Sequence, residues 1–110
     1  MLLVFPKRLK AARLAAGLSQ ERLGVLAGVD EMSASARMNQ YERGKHAPDH
    51  SMVARLADVL HVPVAYFYAS SDDEAALLLA FHRLSIAQRM AVLDFVSQQL
   101  PGSGDASAAP

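Results

Sequence analysis

The chain has 110 residues, about half of them apolar, no cysteine, and equal numbers of acidic and basic residues. That length supports one modest hydrophobic core, and the lack of cysteine excludes disulfides and thiolate metal sites and suits a reducing, cytoplasmic setting. No apolar run approaches the length that spans a membrane. Zero net charge alone argues against a nucleic-acid binder, but its distribution reverses that reading. Residues 1–47 hold eight Lys and Arg against four Asp and Glu, while residues 48–110 hold three against seven. A basic half and an acidic half suit a polyanion-binding face with a separate partner-binding face.

Met1 to Phe5 are apolar, but the run is short and is followed by Lys7, Arg8 and Lys10, the wrong order for a secretory signal. Pro6 suits the first turn of a helix. Leu9, Ala12 and Ala16 lie on one face of a first helix that Gly17 ends. Ser19 is the N-cap of a second helix reaching about Ala27, with Glu21 in its first turn and Gly28 just past its end. The stretch Ser35 to Gly44 reads as a third helix with few apolar residues. Met38 and Tyr41 anchor it, which leaves Ser35, Ala36, Arg37, Asn39 and Gln40 outward. A polar helix of this kind, backed by a neighbour, suits the reading of base edges in the major groove.

Lys45 to Pro48 form a loop, and Asp49 caps a fourth helix with a stripe of Met52, Val53, Leu56, Ala57 and Leu60. Val62-Pro63 breaks it. Val64 to Tyr68 then make a short fifth helix that lays Phe67 on the core. After the link Ala69-Ser70-Ser71, Asp72, Asp73 and Glu74 start a sixth helix running through Leu77, Leu78, Leu79 and Phe81 to about Arg83. Ser85 and Gln88 form a capping box for a seventh helix. Its stripe is Ile86, Met90, Leu93, Val96 and Leu100, widened by Val92 and Phe95. Residues 101–110 have no periodicity and read as a disordered tail. The expected core is Leu9, Leu23, Leu26, Met38, Leu56, Leu60 and Phe67, with Met32, Met52 and Met90 also packed inside.

Ser19-Gln20 with Leu23, then Ala27-Gly28-Val29, then Tyr41-Glu42-Arg43-Gly44-Lys45 and Pro48 occur in an order that resembles the helix-turn-helix domain of phage repressors, Cro proteins and their bacterial relatives. The resemblance covers about Leu9 to Phe67. It implies an all-α fold with a five-helix repressor-like domain over residues 1–69, whose second and third helices bind DNA. Two further helices follow over 70–100. One departure stands out: between Val29 and Glu42 the chain holds about four more residues than the family pattern, one helical turn's worth. The expectation is that they lengthen the turn around Asp30 to Ser33 and leave the third helix unextended.

The resemblance also assigns roles. It implies that Gln20 touches a phosphate and braces the recognition helix, and that Arg13 and Glu42 form an internal salt bridge. Ser35 and Gln40, with Ala36 beside them, are expected to face base edges. Arg37 and Asn39 reach bases or phosphates, and Arg43 and Lys45 flank Gly44 where the chain passes a phosphate backbone.

No nucleophile with its base and no Gly-rich phosphate loop is visible. His46, His50, His61 and His82 lack metal-ligand spacing. An enzyme, a cofactor, a metal and a small-molecule ligand are therefore not expected. The expected function is a sequence-specific transcriptional regulator, a repressor that binds a palindromic site on double-stranded DNA as a homodimer. The rival is an interaction protein, such as an antitoxin-type partner, that keeps the fold without binding DNA. The sixth and seventh helices are apolar on more than one side, so Leu78, Phe81, Met90, Leu93, Phe95 and Val96 are the expected dimer interface.

Overall fold

The computed structural model describes residues 4–102, and among them all regular structure is helical. The elements are α1 (Val4–Ala15), α2 (Gln20–Leu26), α3 (Glu31–Glu42), α4 (His50–Leu60), a 3₁₀ turn (Val64–Tyr68), α5 (Asp72–His82) and α6 (Ile86–Gln99). The expected tail lies mostly outside the described residues. The chain divides into two compact units that meet between Leu79 and Ala80.

The first unit packs α1 to α4 and the 3₁₀ turn around one core. Phe67, Leu9, Leu23, Met38 and Leu56 are its largest fully buried side chains. Leu26, expected inside, is exposed. The buried side of α2 runs through Leu23, Gly24 and Ala27, and position 26 lies on its flank. The N-caps form as their sequence signals require. Ser19 accepts the Arg22 amide, Asp49 accepts the Met52 amide, and Ser85 and Gln88 satisfy each other's backbone in a capping box. α4 stops without a glycine, on His61 in the left-handed conformation, φ 57°.

The unit extends further than residue 69, where the sequence expectation ended it. Ala75 of α5 is buried in the same core, and Leu78 and Leu79 pack half-buried against it. Arg8 explains how the chain is held there. It is buried, its Nε and Nη2 donate to the Ala69 carbonyl at 3.1 and 2.9 Å, and its Nη1 meets Asp72 at 3.0 Å. The guanidinium also lies 6.0 Å from the Tyr66 ring centre. Arg8 is thus a structural tie between α1 and the start of α5.

The second unit holds the end of α5 and all of α6. Arg89 donates to the carbonyls of Phe81 and His82 at 3.0 and 2.8 Å and stacks over the Phe81 ring, which caps the end of α5. No residue of α6 is buried. Met90, expected in the core, is exposed, as are Ile86, Leu93, Phe95, Val96 and Leu100. Among the described residues no helix is long and apolar enough to cross a membrane.

Candidate nucleic-acid interface

The site is built where α2 crosses α3. Gly24 permits the crossing: a Cβ added there would lie 2.7 Å from the Cβ of Ala34, closer than packed carbons tolerate. The turn between the helices is Ala27 to Asp30, with Gly28 at φ +95°. Its backbone is tied down twice. The Val29 amide donates to the Gly24 carbonyl at 2.9 Å, and Arg55 of α4 donates its Nε to the Ala27 carbonyl at 2.8 Å.

The turn is short because the additional residues are helical. Asp30 is the N-cap of α3 and accepts the Met32 amide at 3.0 Å, so Glu31, Met32 and Ser33 form its first turn. This corrects the expectation of a lengthened turn. An Asx cap followed by Glu in the first turn is a strong helix start, and nothing in Glu31-Met32-Ser33 opposes one.

The far end of α3 is locked by a polar network. Arg13 of α1 makes a two-pronged contact with Glu42, Nε to Oε2 at 2.5 Å and Nη2 to Oε1 at 3.1 Å, with both side chains at or below a tenth exposed. Its third nitrogen, Nη1, donates to the Leu18 carbonyl at 2.9 Å. The Gln20 amide nitrogen donates to Glu42 Oε1 at 3.1 Å and to Asn39 Oδ1 at 3.3 Å. Four side chains therefore fix α1, α2 and α3 to one another. Every nitrogen of the Arg13 guanidinium has a partner, as a buried cation requires.

Ala34, Met38 and Tyr41 are the buried face of α3, and Ser35, Ala36 and Arg37 are exposed as expected. Asn39 and Gln40 are only half-buried, because Asn39 is engaged by Gln20 and both lie near the locked end. Beyond the helix, Gly44 takes φ +73°, the Lys45 amide turns back to the Gln40 carbonyl at 3.0 Å, and Arg43 and Lys45 are exposed. Met32, expected in the core, is 92% exposed.

The charge pattern also sorts itself. Arg8 and Arg13 of the basic half are spent inside the fold, whereas Arg22, Arg37, Arg43 and Lys45 face solvent around α2 and α3. Arg55 and Asp30 shape the site although the sequence expectations gave neither a role there. For Asp30 the signal was present, a helix N-cap followed by an acidic first turn. For Arg55, exposed on α4, the sequence carries no mark of a partner 28 residues away.

Residues 7–66 match the family model described as a helix-turn-helix domain. The chain belongs to the helix-turn-helix family. Members of that family are DNA-binding regulators and not enzymes. Among solved structures, the helix-turn-helix chain here is similar to the crystal structure of the transcriptional regulator BswR, with a TM-score of 0.82 and 48% identity over 86% of this chain and 94% of that one. No curated protein matches it.

Proposed function

We propose that this helix-turn-helix protein is a sequence-specific transcriptional regulator, a repressor that binds a palindromic operator as a homodimer. The observation that carries the reading is the recognition helix itself. α3 is held at one end by the Arg13–Glu42–Gln20–Asn39 network, is backed closely by α2, and leaves Ser35, Ala36 and Arg37 exposed. Such a helix keeps a fixed orientation in a major groove. Arg22, Arg37, Arg43 and Lys45 supply the salt-dependent attraction to phosphates, and the start of α2 at Ser19 and Gln20 meets the backbone. Gln20 spends its amide nitrogen on bracing α3, so its carbonyl oxygen is no phosphate donor. A phosphate contact there falls to backbone amides of the first turn and to Arg22.

The homodimer rests on α6. Its exposed Met90, Leu93, Phe95 and Val96 form more apolar surface than a lone helix face usually leaves to water, and a second copy is the cover that also sets two recognition helices one DNA turn apart. Of the expected interface residues, Leu78 packs half-buried against the core of the first unit and Phe81 is half-buried beneath Arg89, so both contribute less.

Selection of bound duplexes from a random pool tests the function. The expected outcome is an enriched site with two-fold symmetry. No enrichment over random duplex would leave an interaction protein that keeps the fold.

A further inference from the structure

The first turn of α3 carries a side chain that the fold does not use. Met32 is the most exposed large apolar residue among the described ones, at 92%, although it stands in a regular, capped helix. At 100° per residue, Met32, Ala36 and Asn39 fall on one stripe, opposite the buried Ala34, Met38 and Tyr41; Asn39, at the locked end, is half-buried, and Met32 and Ala36 are exposed. Met32 therefore continues the outward stripe of the recognition helix one turn, about 6 Å, beyond Ala36. Its neighbour Glu31 points elsewhere, lining a hollow beside α2 with Ser19, Glu21, Arg22 and Val25. The leading tip of the outward stripe is thus apolar and uncharged, which neither a phosphate nor a base-edge amide would attract. One feature of the major groove does match it, the C5-methyl group of thymine. A thioether side chain with three rotatable bonds can fit itself to that methyl.

We propose that Met32 is a specificity-determining residue, reading a thymine through its methyl group at the edge of each half-site. The proposal rests on the DNA-binding reading above and adds one base pair to the length that α3 reads.

The test begins with the duplex selected from the random pool. Each thymine is replaced in turn by deoxyuridine, which keeps every hydrogen bond and lacks only the methyl. Binding is then measured by fluorescence anisotropy for the unaltered protein, Met32→Ala and Met32→Leu. The expected result is one symmetry-related position where deoxyuridine weakens the unaltered protein about fourfold, the worth of one buried methyl-sized group. Met32→Ala should bind thymine and deoxyuridine alike there, and Met32→Leu should restore most of the preference. Because Met32 touches almost nothing in the folded chain, the variants should keep the circular dichroism of the parent. A selected site at which every deoxyuridine penalty is the same with and without Met32 overturns this proposal and leaves the regulator standing. A pool that yields no preferred duplex overturns both.

Discussion

α4 and α6 are helices of similar apolar content with opposite fates. α4 buries Met52, Val53, Leu56, Ala57 and Leu60, whereas α6 buries none of its residues. Both start with well-formed caps, so local signals do not separate them. What separates them is spacing. The apolar residues of α4 are confined to one stripe, which a single core can cover. Those of α6 spread from Ile86 and Met90 round to Phe95, too wide for one packing face. A narrow stripe thus suits a helix that one core covers, and a broad one leaves apolar side chains exposed, as on α6. The first unit further differs in its buried polar ties, Arg8 to Ala69 and Arg13 to Glu42, whereas the ties of Arg89 in the second are partly exposed.

The contrast can be broken first at Glu42. Glu42→Leu strands the Arg13 guanidinium and the Gln20 amide, and the expected loss is about 3–5 kcal/mol of unfolding free energy. Arg13→Met should cost a similar amount, and the pair together clearly less than the sum, read by denaturant unfolding of all four proteins. Strictly additive losses would show that the network is not a unit.

Gly24→Ala comes next. The new methyl would sit against Ala34, backed by backbone at 3.0 Å, and should cost about 1–3 kcal/mol despite the better helix propensity of alanine. An unchanged or raised melting temperature would mean that α2 and α3 can separate freely.

Leu93→Glu probes the exposed face of α6. On an exposed α6 position the change should move monomer stability by no more than about 0.5 kcal/mol. It should nonetheless convert a sedimenting dimer into a monomer with weak operator binding. A parent protein that is monomeric at tens of micromolar would remove the dimer from the account.

The smallest effect belongs to Asp72. The hydrogen bond from Arg8, followed by the charge of Lys7, holds its carboxyl below the usual carboxylate range. Its contribution is therefore present above the unfolded value near 3.9 and is lost as pH falls through the lower folded value. The stability difference between the parent and Asp72→Asn should be constant above about pH 5, begin to shrink near about pH 4, and vanish only in more acid solution, below the lowered folded value. A difference that grows with acid would contradict the pairing.

Much of the fold is legible in the residues because helix boundaries are written in short local signals. Ser19, Asp49 and Ser85 cap as their neighbours dictate, Gly17, Gly28 and Gly44 take positive φ at their turns, and Leu9, Leu23, Met38, Leu56 and Phe67 fill the core. The misreadings arise where geometry over a longer range decides. Comparison with the family motif suggested a longer turn at Asp30 to Ser33, yet the local cap makes a longer helix, and that moves Met32 from core to surface. Burial of Arg8 depends on a carbonyl 61 residues away, which no local pattern reveals. At the interface, the Arg13–Glu42 pair was legible through the motif, while the diversion of Gln20 and Asn39 into that network was only partly so.

α3 and its surrounding cations, Arg22, Arg37, Arg43 and Lys45, make up the proposed DNA-reading surface. Salt titration of anisotropy on the selected duplex and on random duplex, with the parent and Lys45→Ala, tests it most directly. The expected result is tighter binding to the selected duplex at every salt concentration, a linear fall of log affinity with log salt for both, and a slope reduced by about one for Lys45→Ala on both duplexes alike. Absence of binding to either duplex at low salt, or equal affinity for the two, would contradict it.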